Sequence, residues 1–152
     1  MTESASGVSL PVTWRPHRSR RMAAVLATAI VITMVTLAVT VAPPFTVADR
    51  AGLVLFGLVI AGVLYLLARC RVSADAAGLT LVNPLRTRRL AWAEVLGVSM
   101  GEGEPWPTLD LSDGSTVSAM GIQRSDGERA RRALAELRAL LRERGEAADP
   151  GG

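Results

Sequence analysis

Two uncharged apolar runs, set between clusters of arginine, constrain this chain more than any other feature. Met22 to Val41 reads MAAVLATAIVITMVTLAVTV, and Ala51 to Ala68 reads AGLVLFGLVIAGVLYLLA. At about 1.5 Å rise per residue they make helices of roughly 30 and 27 Å, enough to cross a hydrocarbon core. The pattern predicts a two-helix transmembrane hairpin (22–41 and 51–68), preceded by a disordered basic arm over 1–21. Neither run contains an ionisable residue, so no transport path is expected through the spans.

The arginines set an orientation. All 17 basic residues are Arg. Arg15, Arg18, Arg20 and Arg21 precede the first run, and Arg69 and Arg71 follow the second. The connector from Ala42 to Arg50 carries only Asp49 and Arg50. By the positive-inside rule this predicts a multi-pass cell-membrane protein, both termini cytoplasmic and the Pro43-Pro44 loop outside. The rival reading, a cleaved export signal around Arg20-Arg21, is disfavoured: the apolar run is too long, Pro43 follows the small-residue site, and a second span comes at once. Arg18, Arg20, Arg21, Arg69 and Arg71 are therefore expected to flank the membrane. Residues 69–152 hold twelve Arg against twelve acids, so no nucleic-acid partner is expected. Ala29, Thr33, Thr36 and Thr40 recur at helical spacing, with Gly57 and Ala61 on the second run. They predict a packing seam, unless the threonines only bond back to their own helix.

After Arg71 the period changes from helical to alternating. Six short strands are predicted: Arg71–Asp75, Leu79–Asn83, Thr87–Trp92, Val95–Met100, Thr108–Leu111 and Ser115–Met120. Gly78 suits a turn with positive φ, and Ser112-Asp113-Gly114 is the strongest hairpin signal. The last element is an amphipathic helix. Ser125 and Glu128 form a prospective capping box, and Ala130, Ala133, Leu134, Leu137, Leu140 and Leu141 share one face. Gly145 should end it, leaving 145–152 disordered. The expected core is Leu79, Leu81, Leu90, Trp92, Val98, Leu109, Leu111, Val117, Leu134, Leu137 and Leu141.

The stretch Gly78-Leu-Thr-Leu-Val-Asn-Pro-Leu-Arg-Thr-Arg-Arg-Leu-Ala-Trp-Ala-Glu-Val95, followed by Leu109-Asp-Leu-Ser-Asp-Gly, resembles the bacterial PH-domain family of small actinobacterial membrane proteins, the low-molecular-weight protein antigen type. The resemblance implies a two-helix transmembrane hairpin followed by a β-rich PH-like domain (71–144) with a C-terminal amphipathic helix. A full PH fold has seven strands and six are counted. Either Gly121 to Gln123 pairs briefly or the sheet is reduced. The resemblance further implies a binding or scaffolding module without catalytic motif.

Candidate chemistry is sparse. His17 is the one histidine and Cys70 the one cysteine, so no metal set, no disulfide within the chain and no catalytic triad can be assembled. An inert thiol is the favoured reading of Cys70, with lipidation as the alternative. Asp110 and Asp113 fall on a strand face and a turn, not as a paired acid and base. Trp14 reads as an interfacial anchor. No cofactor and no enzymatic activity are expected. Arg86, Arg88 and Arg89 are the candidate contact for anionic lipid or a protein partner. The expected function is a membrane-anchored PH-like binding or scaffolding module at the inner face of the cytoplasmic membrane. Its partners would be membrane lipid and another membrane or cytosolic protein. The alternative is an accessory subunit of a larger membrane enzyme or transporter.

Overall fold

The computed structural model describes residues 7–146. Two compact units divide the chain. One is a helical hairpin, residues 18–69. The other joins the residues up to His17 to those from Cys70 onward. The hairpin is thus inserted within the β-rich unit's chain and does not simply precede it.

The hairpin comprises α1 (His17–Thr40) and α2 (Val47–Ala68), both long and apolar enough to cross a membrane. Only Ala38 and Gly57 are buried, while Val25, Ile32, Leu55 and Phe56 are exposed. A Cβ on Gly57 would lie 2.9 Å from Met34 Cγ, so this glycine permits the close approach of the helices. The threonine half of the expected seam is absent. Thr33, Thr36 and Thr40 are exposed, and the Thr33 and Thr40 hydroxyls donate to the Ala29 and Thr36 carbonyls, each at 2.8 Å. A hydroxyl facing outward from a helix finds its nearest acceptor one turn back.

Both ionisable residues of the connector close helix ends. Thr46 and Asp49 form a capping box at the start of α2. Arg50 donates to the Ala38 and Val41 carbonyls at 3.0 and 2.9 Å, satisfying carbonyls that the end of α1 leaves unpaired.

Among the described residues the β-rich unit has seven strands and one α-helix. β1 (Val12–Trp14), β2 (Arg71–Ala74), β3 (Gly78–Val82) and β4 (Thr87–Ala91) form an antiparallel sheet in that order. β5 (Val95–Ser99), β6 (Thr108–Leu111) and β7 (Thr116–Ser118) form a second, and α3 (Glu128–Glu146) follows. The strand missing from the sequence count is β1. Gly121 to Gln123 lies outside the strands. β1 pairs with β2 in the register Val12↔Ala74 and Trp14↔Val72, so neighbours in the sheet are separated in sequence by the whole hairpin.

This corrects the reading of the basic arm over 1–21. Residues 1–6 lie outside the described residues, but Val12–Trp14 is a strand and α1 begins at His17. Trp14 is a core residue, 8% exposed, not an interfacial anchor, because strand alternation turns it inward onto the apolar cluster. Val8, Leu10 and Val12 pack against the same cluster. The domain therefore starts before the hairpin rather than at residue 71.

Smaller departures are local. β4 stops at Ala91, where a 3₁₀ turn over Trp92–Glu94 swings Trp92 inward to donate from Nε1 to the Asp75 carbonyl at 3.1 Å. Gly78 has an extended φ of 158°. Glycine is required there because a Cβ would run into the Leu90 carbonyl. Ser125 sits inside a 3₁₀ turn (Arg124–Asp126), and α3 begins only after Gly127, whose φ is 60°. Gly145 does not end α3, which continues to Glu146; residues 147–152 of the expected tail lie outside the described residues.

The core joins both sheets to α3. Leu79, Leu81, Leu90, Trp92, Leu109, Leu111 and Leu137 are buried as expected, while Val98, Val117 and Leu141 are partly buried against them. Leu134 is half-buried. Val72, Ala74, Val95, Ala119, Ile122, Ala130, Ala133 and Leu140, with Trp14, complete the core.

Candidate functional site

The arginine cluster lies on the β3–β4 hairpin. The Asn83 backbone N–H donates to the Arg86 carbonyl at 2.9 Å, closing a turn with Pro84 and Leu85 at its tip. The Asn83 side chain fastens this turn to the second sheet. Its Nδ2 donates to the Ser118 carbonyl at 2.7 Å, and its Oδ1 accepts the Met120 N–H at 3.4 Å. The tip is therefore held, yet Leu85 is 86% exposed. An apolar side chain standing free on a braced turn beside Arg86 is the part of this site that arginine counting missed. Its signal in the sequence was the Pro-Leu-Arg order.

The three arginines do not form one face. All are exposed. Arg88 is paired with Leu81 and shares its side of the sheet with Leu90, whereas Arg89 is paired with Thr80 and points the other way. Arg88 also acts on Asp113. Hydrogen bonds from Ser115 hold the Asp113 carboxyl below the usual carboxylate range, and the Arg88 charge adds to that effect. Arg86 and Leu85 thus form the compact end of the patch.

Arg18, Arg20 and Arg21 occupy the first turns of α1, Arg69 is the C-cap of α2, and Arg71 opens β2. All five are exposed. Cys70, between the last two, is buried at 2% exposure, which opposes its modification. The His17 backbone N–H donates to Asp126 Oδ2 at 2.8 Å, and His17 lines a hollow of about 250 Å³ with Arg15 and Arg129. Asp110 is exposed on β6. Among the described residues no cluster of three or more His, Cys, Asp or Glu could hold a metal ion.

Two sheets of four and three antiparallel strands, followed by a helix that packs into their shared core, frame this site. Residues 69–140 match the family model for the bacterial PH domain. Over this segment, just under half of the chain, the protein is similar to a bacterial PH domain. The match runs from the last residue before Cys70 into α3, so β1 lies outside it even though β1 completes the four-stranded sheet. The chain is also similar to two uncharacterized proteins, Rv1417 of Mycobacterium tuberculosis and Mb1452 of Mycobacterium bovis. Each is 40% identical over 97 residues, 64% of this chain. The match spans 63% of the length of each of those relatives. No solved structure matches the chain.

Proposed function

We propose that this chain is a PH-domain binding and scaffolding module held at the inner face of the cytoplasmic membrane by the α1–α2 hairpin. One observation carries the reading. The PH-like sheet is interrupted between two directly paired strands by two helices that bury only Ala38 and Gly57 and leave most of their apolar side chains exposed. A surface of that kind is costly in water and suited to lipid. Because β1 and β2 pair, both ends of the hairpin serve one domain, which fits two crossings and not one. The arginine excess beside the hairpin favours the cytoplasmic side.

Within this reading, Leu85 and Arg86 form the leading contact for anionic headgroups or a partner, with Arg88 and Arg89 supplying field from either face of β4. Each Arg near an anionic surface contributes about 1 kcal/mol, and tethering raises the effective concentration of even a weak site. The test is a pair of C-terminal fusions to the full chain. A fluorescent protein should be bright and alkaline phosphatase inactive; an active phosphatase would overturn the orientation.

A further inference from the structure

The second sheet carries an edge that nothing in the lipid reading uses. Its order β5-β6-β7 leaves β5 outermost, so one row of β5 backbone groups has no strand partner among the described residues. Edge strands are commonly blunted by charge, yet Val95–Ser99 reads VLGVS with no charged residue. The register skips from Val95↔Leu111 to Gly97↔Asp110, so Leu96 is a bulge without a partner on β6. Bulges re-aim side chains, and Leu96 stands 72% exposed.

Between this edge and α3 runs an open groove of about 710 Å³. Leu96 and Val98 line its strand side, and Leu141, Arg138 and Arg142 its helix side. Among the described residues no carboxylate lines it. Arg138 also lines a second hollow of about 370 Å³, with Arg124 and Arg131 and, among the described residues, no acid. The two walls match in length: five β5 residues span about 17 Å, and α3 from Ala135 to Gly145 rises about 15 Å.

We propose that this groove binds an extended segment of a partner protein, of alternating apolar and acidic residues, added to β5 as a further strand. Main-chain hydrogen bonds to the β5 edge supply a general attraction, and side-chain pockets select the sequence. Apolar side chains of the segment pack on Leu96, Val98 and Leu141. Carboxylates on its helix-facing side meet Arg138 and Arg142, whose planar forks suit bidentate pairing. The acid-free lining selects against basic segments by leaving their charges unpaired. This site is separate from the Leu85–Arg86 tip and stands independently of the membrane reading.

The test uses the full chain in lipid nanodiscs to select from a displayed library of random ten-residue peptides. Enriched sequences should alternate apolar and acidic residues and exclude Pro from the centre, where it removes a ladder donor. A synthesised winner should bind at least about tenfold more weakly to Arg138→Glu with Arg142→Glu, and to Leu96→Asp, but unchanged to Arg132→Glu on the same helix. All four positions are exposed, and tryptophan fluorescence checks that each variant is folded. No enrichment over empty nanodiscs, winners lacking acids, or undiminished binding to the groove variants would overturn the proposal.

Discussion

The Trp14 indole donates from Nε1 to Glu136 Oε2 at 2.8 Å, joining β1 to α3 across 122 residues of chain. One partner precedes the apolar hairpin and the other lies in the last helix, so this bond exists only when both flanks of the hairpin belong to one domain. Glu136→Leu strands a buried indole N–H. The expected loss is about 1–2 kcal/mol, the cost of an unpaired buried donor. It is measured as a lowered urea midpoint of the detergent-solubilised chain; an unchanged midpoint would show that the bond contributes nothing.

The pairing of Trp14 with Val72 has a second consequence. Residues 70–146 alone lack the edge strand and Trp14, and should give a poorly dispersed amide spectrum. Residues 7–17 joined to 70–146 by a short Gly/Ser linker should fold, because paired strands bring the two cut ends within the reach of a few residues. If 70–146 alone is fully dispersed, β1 is dispensable.

Leu137 is fully buried on α3, whereas Leu96 is exposed on β5. Leu137→Ala should cost about 2–4 kcal/mol through lost packing and the cavity left behind. Leu96→Ala should stay within about 0.5 kcal/mol, the range of surface changes. Equal costs would mean that α3 is not docked as described.

Asp113 gives a pH signature. Its folded pKa is depressed by the Ser115 hydrogen bonds, so its contribution to the β6–β7 hairpin is present above the unfolded value of about 3.9 and is lost as pH falls through the folded one. The stability gap between the parent and Asp113→Ala should be flat above about pH 5 and shrink on acidification. A carboxyl carbon titration of Asp113 showing no depression would contradict this.

The Leu85–Arg86 tip can be probed directly, since Cys70 is buried and a cysteine at position 85 is the accessible thiol. An environment-sensitive dye there should shift to the blue in nanodiscs containing anionic lipid, and Arg86→Glu should reduce that shift. No dependence on lipid charge would assign the tip to a protein partner instead.

Local pattern made much of this fold legible. Leu79 and Leu81 alternate against Thr80, Leu109 and Leu111 against Asp110, and α3 carries an apolar stripe over a charged face. Each of these elements declares itself within a few residues. β1 does not, because a three-residue strand has too few positions to show a period and its partner lies beyond the hairpin. Trp14 beside Arg15-Pro16 had the composition of an interfacial anchor, and only pairing with Val72 turns it inward. The arginine site was legible as charge and, through strand alternation, as direction: Arg88 groups with Leu90, and Arg89 falls on the other face. The β5 groove was invisible, because it depends on a bulge at Leu96 and on residues of α3 some forty positions later.

The central claim is that one PH domain is interrupted by two membrane crossings and lies wholly on the inner side. Thr13→Cys in β1, Phe45→Cys in the connector and Ser115→Cys in the β6–β7 turn, each made alone in a chain whose own Cys70 is buried, test it in intact cells with a membrane-impermeant maleimide. The account predicts labelling at Phe45 alone until the cells are permeabilised, when Thr13 and Ser115 become labelled together. Labelling of Thr13 or Ser115 in intact cells would contradict it, most directly if the two fell on opposite sides.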